Sequence, residues 1–272
     1  MKKVATIILN RNLPKVTDKL VNKVKKDYQT DVYVIEAGSD NKLISNNCTT
    51  HVKSKFVKKN GLRFPRGMNL GLSKLWENKK FNKYDFFLLL TNDTEIHTKN
   101  FFKKAIRIFK KHPRLGILSP CGKDWGEKIL LKKKKILYFW FVHNTAVFLR
   151  KEFILDVMNN QKPGYLNFLY DGSNFRGYGT ESELIAKGYS NYWATAITSE
   201  LVISENENYL LKKSNLIKTE THDLNLKLYI KEGLEWMKKK YGFKSKWSMQ
   251  MYVKIFYDKF FEYYPEYKKY MI

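Results

Sequence analysis

The feature that most constrains this chain is the alternation, over its first 120 residues, of unbroken apolar runs with stretches of helical periodicity. Val4-Ala5-Thr6-Ile7-Ile8-Leu9 is apolar almost throughout, the pattern of a strand covered on both faces. Pro14 suits a first helical turn, after which Val16, Leu20 and Val24 recur at helical spacing. Asp31 to Ile35 reads as a second strand, Met68, Leu72 and Leu75 as a helix, and Phe86 to Leu90 as a third strand. Phe102, Ala105, Ile106 and Phe109 mark another helix, and Leu115 to Leu118 another strand. This alternation predicts an α/β fold, a mostly parallel sheet flanked by helices.

Sheets of that kind bind ligands beyond the carboxyl ends of their strands. Polar clusters sit there: Asn10-Arg11-Asn12 after the first strand, Glu36 to Asp40 after the second, Asn92-Asp93-Thr94-Glu95 after the third. They are expected to converge on one crevice. Asp93 and Glu95 offer hard oxygen ligands that suit Mg²⁺ or Mn²⁺, and such a cation can bridge a diphosphate. Alone, the pair fits a solvated turn equally well. Glu36 is placed to accept hydrogen bonds from a base or ribose, although by itself its segment reads as a Gly-Ser-Asp turn. Arg63, Arg66 and Asn69 lead into a helix whose start would favour phosphate oxygens. Later, Gly177-Tyr178-Gly179-Thr180 delivers Glu181 to the start of a short helix. A carboxylate there can act as general base towards a hydroxyl, although the helix dipole alone also favours acids at that point.

Beyond residue 120 the pattern is mixed. Phe139 to Val142 and Ala146 to Leu149 read as extended, Phe153 to Met158 as helix, Glu181 to Lys187 as helix, and Tyr192 to Thr198 as strand. From Leu224 the chain is helical, with one stripe at Ile230, Leu234, Met237 and Tyr241 and another at Met249, Tyr252, Phe256, Phe260 and Tyr263. Residues 1–205 are therefore expected to form the main domain, and 206–272 a basic, aromatic helical extension packed on it. An interfacial belt on anionic lipid is the other reading of that tail.

Taken together, these segments resemble the family-2 inverting glycosyltransferases of GT-A fold over about residues 3 to 205. Val34-Ile35-Glu36-Ala37-Gly38-Ser39-Asp40 is similar to that family's hydrophobic–Asp–x–Gly–Ser–x–Asp motif, with Glu36 for the usual Asp. Asn69-Leu70-Gly71 matches its Asn-x-Gly, and Leu88 to Glu95 looks like its DxD-equivalent segment. Ala146 to Lys151 resembles the strand before its acceptor region, and Gly179-Thr180-Glu181-Ser182-Glu183-Leu184 its Gly-Glu-Asp-x-Asp-Leu. The resemblance implies transfer of a sugar from a nucleoside diphosphate, UDP or dTDP by preference, to a hydroxyl of a surface glycan, with Mn²⁺ or Mg²⁺. It implies donor contacts from Asn10, Glu36, Arg66, Asn69, Asn92 and Asp93, and metal contacts from Asp93 with Glu95 nearby. Glu181 falls on the position of the catalytic base. The family often supplies a late His to the metal; here Ser204-Glu205-Asn206 occupies roughly that place and His222 lies further on, so either Glu205 or His222 could serve. His143 and Asn144 are candidates to face the acceptor, and Trp125 to stack on a sugar.

The formal net charge of +25 attracts polyanions, phosphorylated substrates and anionic membranes. Cys48 and Cys121 show no metal spacing, and a reducing compartment is expected. The N-terminus lacks the pattern of a signal peptide, and the longest apolar stretch, Ile136 to Leu149, is broken by His143, Asn144 and Thr145. A cytoplasmic location is expected, with contact to the inner face of the membrane left open; no specific nucleic acid is expected. A nucleotidyltransferase is the nearest rival, but Asn10-Arg11-Asn12-Leu13-Pro14 lacks the glycine-rich loop expected of one. A non-catalytic protein binding polyanions or membranes is the other class, and predicts salt-sensitive binding without any sugar nucleotide.

Overall fold

The computed structural model describes residues 3–132, 134–159, 163–206 and 220–272. Its strands are β1 (Val4–Asn10), β2 (Asp31–Ala37), β3 (Cys48–Val52), β4 (Phe86–Thr91), β5 (Thr94–Ile96), β6 (Leu115–Gly122), β7 (Ile136–Tyr138), β8 (Ala146–Arg150) and β9 (Ala194–Glu205). They form one nine-stranded sheet in the order β3-β2-β1-β4-β8-β6-β9-β5, and β7 also pairs with β9. β3, β2, β1 and β4 are parallel neighbours, and β6 and β9 form a second parallel pair. β8 is antiparallel to both β4 and β6, and β5 and β7 are antiparallel to β9. The expected parallel block is there, but the sheet as a whole is mixed.

The unbroken apolar runs have their expected cause. Every residue of β1 but Leu9 is buried, as is all of β4 except Thr91, because helices cover the sheet. Helix α1 (Pro14–Asp27) starts on its proline and buries Leu20, Val21 and Val24. After α2 (Lys55–Asn60), α3 (Arg63–Glu77) lies against Ile7 and Leu9 of β1, with Gly67 and Gly71 at the contact. Helix α4 (Phe101–Lys111) buries Phe101, Phe102, Ala105, Ile106, Ile108 and Phe109.

Departures from the expected pattern fall in both halves of the chain. β3, β5 and β7 were not expected, and Phe139 to Val142 is not a strand. After α5 (Lys151–Val157), α6 (Thr180–Ser190) is buried on nearly every side, since it lies between β6 and β9 of the sheet and a further helix. That outer helix is α8 (Lys246–Tyr263), whose Val253, Tyr257, Phe260 and Phe261 join the main hydrophobic core. Helix α7 (His222–Tyr241) shares a smaller cluster of Trp236 and Met237 with Met249 of α8. The expected tail stripes hold in part: Met237, Met249 and Phe260 are buried, whereas Ile230 and Tyr263 are exposed and Val253 and Tyr257, outside the stripes, are fully buried. Among the described residues no helix is long and apolar enough to cross a membrane.

Candidate active site

The polar ends of three neighbouring strands do meet. Asn10 and Glu36 are register partners on β1 and β2, and Asn10 Nδ2 donates to both Glu36 oxygens at 2.9 and 3.0 Å. Asn92 Nδ2, just past β4, donates to Asn10 Oδ1 at 2.9 Å. Glu36 also accepts from the Ser39 hydroxyl and, at 2.8 Å, from the Ser45 backbone N–H. With no exposed surface and donors on both oxygens, Glu36 ties the β2 loop to β1. Donors of this chain hold both oxygens of Glu36, which was expected to contact the nucleotide.

A pocket of about 170 Å³ opens beside this network, lined among others by Asn10, Arg11, Ala37, Arg63, Thr91 and Asn92. Arg11 reaches the carbonyls of Ala37 and Val57 at 2.9 and 2.7 Å, so it holds the pocket rim. Two other expected donor contacts lie elsewhere. Arg66 donates to Gly172 O at 2.7 Å and sits over the Phe175 ring, bracing the glycine-rich loop. Asn69 is fully buried and clamps the 165–170 segment, accepting from Leu169 and Tyr170 N–H and donating to Tyr165 and Tyr170 carbonyls. Neither lines the pocket, because both face the loop packed on α3.

Next to this pocket, with Thr91 in the lining of both, lies a cleft of about 290 Å³. Its walls include Asp93, Glu181 and Glu205, together with His143, Asn144, Arg176, Tyr229 and Lys246. Asp93 and Glu205 come together because β5 pairs with β9: Thr94 is opposite Glu205, and Asn206 N–H donates to Asp93 O at 3.0 Å. Glu95 is exposed in β5 and accepts from Asn206 Nδ2 at 3.0 Å, and it does not line the cleft. Glu95 is therefore not beside Asp93 in the cleft. His222 is exposed in the first turn of α7 and is not part of the cleft lining. Of the two late candidates, Glu205 is the one brought in.

Glu181 reaches the cleft through Gly179, the residue before α6, whose φ of 87° lies in the left-handed region that favours glycine. Its carboxylate is divided. Oε1 pairs with Lys246 Nζ from α8 at 2.8 Å, while Oε2 is buried and has no hydrogen-bond partner among the described residues. Asn144 Oδ1 is a second buried acceptor of the cleft without a hydrogen bond. Glu183, the other acid of the motif, faces away and accepts from Lys240 and Tyr241 at 2.7 Å each. Burial, and then the charge of Glu181, pushes the Tyr229 hydroxyl far up, so it remains a proton donor. His143 stacks on Trp125 with ring centroids 3.7 Å apart and meets Glu127 at 3.3 Å. Trp125 also lies over Gly122, so it props His143 and presents no open face to a sugar.

Among the described residues no group of three or more His, Cys, Asp or Glu is placed to hold a metal ion by itself. Two carboxylates on one wall match a different mode, in which Mg²⁺ or Mn²⁺ is held jointly by one or two carboxylates and substrate phosphates. The sequence reading missed Tyr229 and Lys246 entirely. A local signal existed for Lys246 in Ser245, a helix cap that places it in the first turn of α8.

Neither a family model nor a curated protein matches the sequence. Solved structures do resemble the fold. The crystal structure of GalNAc-T7 with UDP, GalNAc and Mn²⁺ aligns with a TM-score of 0.52 at 11% identity, over 75% of this chain and 44% of that one. S. aureus TarS 1-349 aligns at 0.48 and 13% identity, over 88% and 73% of the two chains. Glucosyl-3-phosphoglycerate synthase from Mycobacterium tuberculosis, in complex with Mn²⁺, UDP-glucose and phosphoglyceric acid, aligns at 0.45 and 10%, over 79% and 77%. The first of these likenesses carries the comparison, and what it shows is the fold: the GT-A architecture expected from the sequence. The chain spans less than half the length of that GalNAc-T7 chain.

Proposed function

We propose that this protein is a metal-dependent glycosyltransferase that moves a sugar from a nucleoside diphosphate, UDP or dTDP, to a hydroxyl of a glycan or lipid-linked glycan, with inversion. One observation carries the reading: in a GT-A sheet, Asp93, Glu205 and Glu181 line one cleft that adjoins the pocket at the ends of β1 and β4. The fold likeness supports it, since the GalNAc-T7 structure holds UDP, GalNAc and Mn²⁺.

In this reading the nucleotide occupies the smaller pocket and the reacting sugar the cleft. Asp93 and Glu205 would hold a divalent cation, which supplies neutralising charge for a diphosphate leaving group. Glu181 Oε2, buried and without a hydrogen bond, takes the proton of the acceptor hydroxyl as that oxygen attacks the anomeric carbon from the face opposite the diphosphate. Asn144 Oδ1 accepts from a second acceptor hydroxyl, so a sugar with more than one free hydroxyl suits the cleft better than a simple alcohol. Tyr229 offers a donor on the same walls. The net charge of +25 favours approach of anionic donors and of an acceptor carried on an anionic membrane face.

The test is release of the nucleotide (UDP, dTDP, GDP or CMP) from a panel of UDP-, dTDP-, GDP- and CMP-sugars with Mn²⁺, beside their effect on melting temperature. At least one UDP- or dTDP-sugar should raise the melting temperature and be turned over. Glu181→Gln should lower turnover by about a hundredfold or more, and Asp93→Ala should remove the Mn²⁺ dependence. Full activity in both variants, with native circular dichroism, overturns the assignment.

A further inference from the structure

Lys246 is the one residue of α8 in the lining of the carboxylate cleft, and nothing in the reading of Glu181 as a base requires it. Its ammonium is 2.8 Å from Glu181 Oε1, with side-chain exposures of 21% and 4% for the two partners. It also lies over two rings, 4.7 Å from the centroid of Tyr178 and 5.0 Å from that of Phe141. A lysine stem is ordinarily free to wander in solvent; here the two aromatic faces and the carboxylate define one position for its tip.

The consequence falls on Glu181. A carboxylate at the start of a helix turns about its side-chain torsions, and both of its oxygens are chemically equal. The ion pair makes them unequal, because Oε1 is held and Oε2 is left without a hydrogen bond in the cleft wall. The other charged and titratable groups near Glu181 do not do this. Tyr170 and Tyr229 feel its charge from neighbouring elements, yet neither donates a hydrogen bond to it, and Arg176 is committed to Glu220 and Glu232. His143 pairs with Glu127, while Asp93 and Glu205 stand elsewhere in the cleft lining.

We infer that Lys246 is a positioning residue: from the C-terminal helix it clamps one oxygen of Glu181 so that the other faces the incoming acceptor. The inference rests on the proposed role of Glu181, but its first test does not need turnover. In protein labelled with ¹³C at Glu carboxyl carbons, Glu181→Gln assigns the Glu181 signal. Lys246→Met should shift and broaden that signal, and Lys246→Arg, which keeps a cation, should leave it near its native place. An unchanged Glu181 signal in Lys246→Met overturns the inference. If that variant is too unstable to label, Lys246→Gln carries the same measurement.

The second test uses whichever sugar nucleotide the panel shows to be turned over. Lys246→Met should lower kcat by about tenfold to a hundredfold with the donor KM unchanged, and Lys246→Arg should restore most of it. A loss confined to KM overturns the clamp. Full turnover by Glu181→Gln instead overturns the role of Glu181 itself, so the two failures are distinguishable.

Discussion

Asn10 and Glu36 illustrate how a polar residue at a strand end can serve the site without touching a ligand. Glu36 receives hydrogen bonds from Asn10, Ser39 and Ser45 in a place with no solvent. Removing it leaves several buried donors without an acceptor. Glu36→Ala should therefore cost about 3 kcal/mol or more of stability, read from urea denaturation. A residue whose role was only to contact the nucleotide would show normal stability and weakened donor binding. Residue types and their convergence were legible in the sequence: Asn10, Asn92, Asp93 and Glu181 all line the pocket or cleft. What spacing could not reveal is which way each side chain turns. Arg66 and Asn69 lie next to Pro65, which lines the cleft, yet they point into the loop packed on α3. Glu95 is exposed and bonded to Asn206 in β5, a three-residue strand too short to recognise from the sequence.

At the scale of elements, the final turn of the chain, Pro265–Tyr270, packs its aromatic rings on a buried histidine. His112 accepts or donates at 2.9 Å to the Tyr138 hydroxyl and has Tyr270 4.6 Å from its ring. Burial, helped by the charges of Lys269 and Lys111, lowers its pKa from 6.5 to about 4. The unfolded chain thus binds this proton more readily than the folded one. Stability from the neutral ring is complete above pH 6.5 and is lost as pH falls from there towards about 4. Denaturation midpoints measured across that interval should decline, and His112→Gln should flatten the decline. Elements with strong periodicity, such as α1, α3 and α4, were readable from the sequence because each covers the sheet with one apolar stripe. α6 and α8 were harder to orient: α6 is buried on most sides, and aromatic residues surround α8, so periodicity does not single out the inner face.

For the whole molecule, the main question is whether the last helix is an appendage. Its Val253, Tyr257, Phe260 and Phe261 are at most 1% exposed and belong to the same core as the sheet, and its first turn supplies Lys246 to the cleft. A chain stopped at Gly242 should consequently be insoluble or lose cooperative unfolding, as followed by tryptophan fluorescence. A protein that kept its native melting transition without α8 would count against this shared core. The chain's two-part appearance in sequence arose from composition, since Lys and aromatic residues crowd its end, whereas burial joins that end to the rest.

The place of β9 in the sheet has a consequence for biogenesis. This strand is the last of the nine to leave the ribosome, yet it lies between β6 and β5, which emerge some seventy residues or more earlier. Until it arrives, the nascent chain carries two open strand edges and the apolar bed meant for α6, a surface on which chaperones act and on which neighbouring chains can add. Yield in the cell should accordingly depend on how quickly translation passes residue 205.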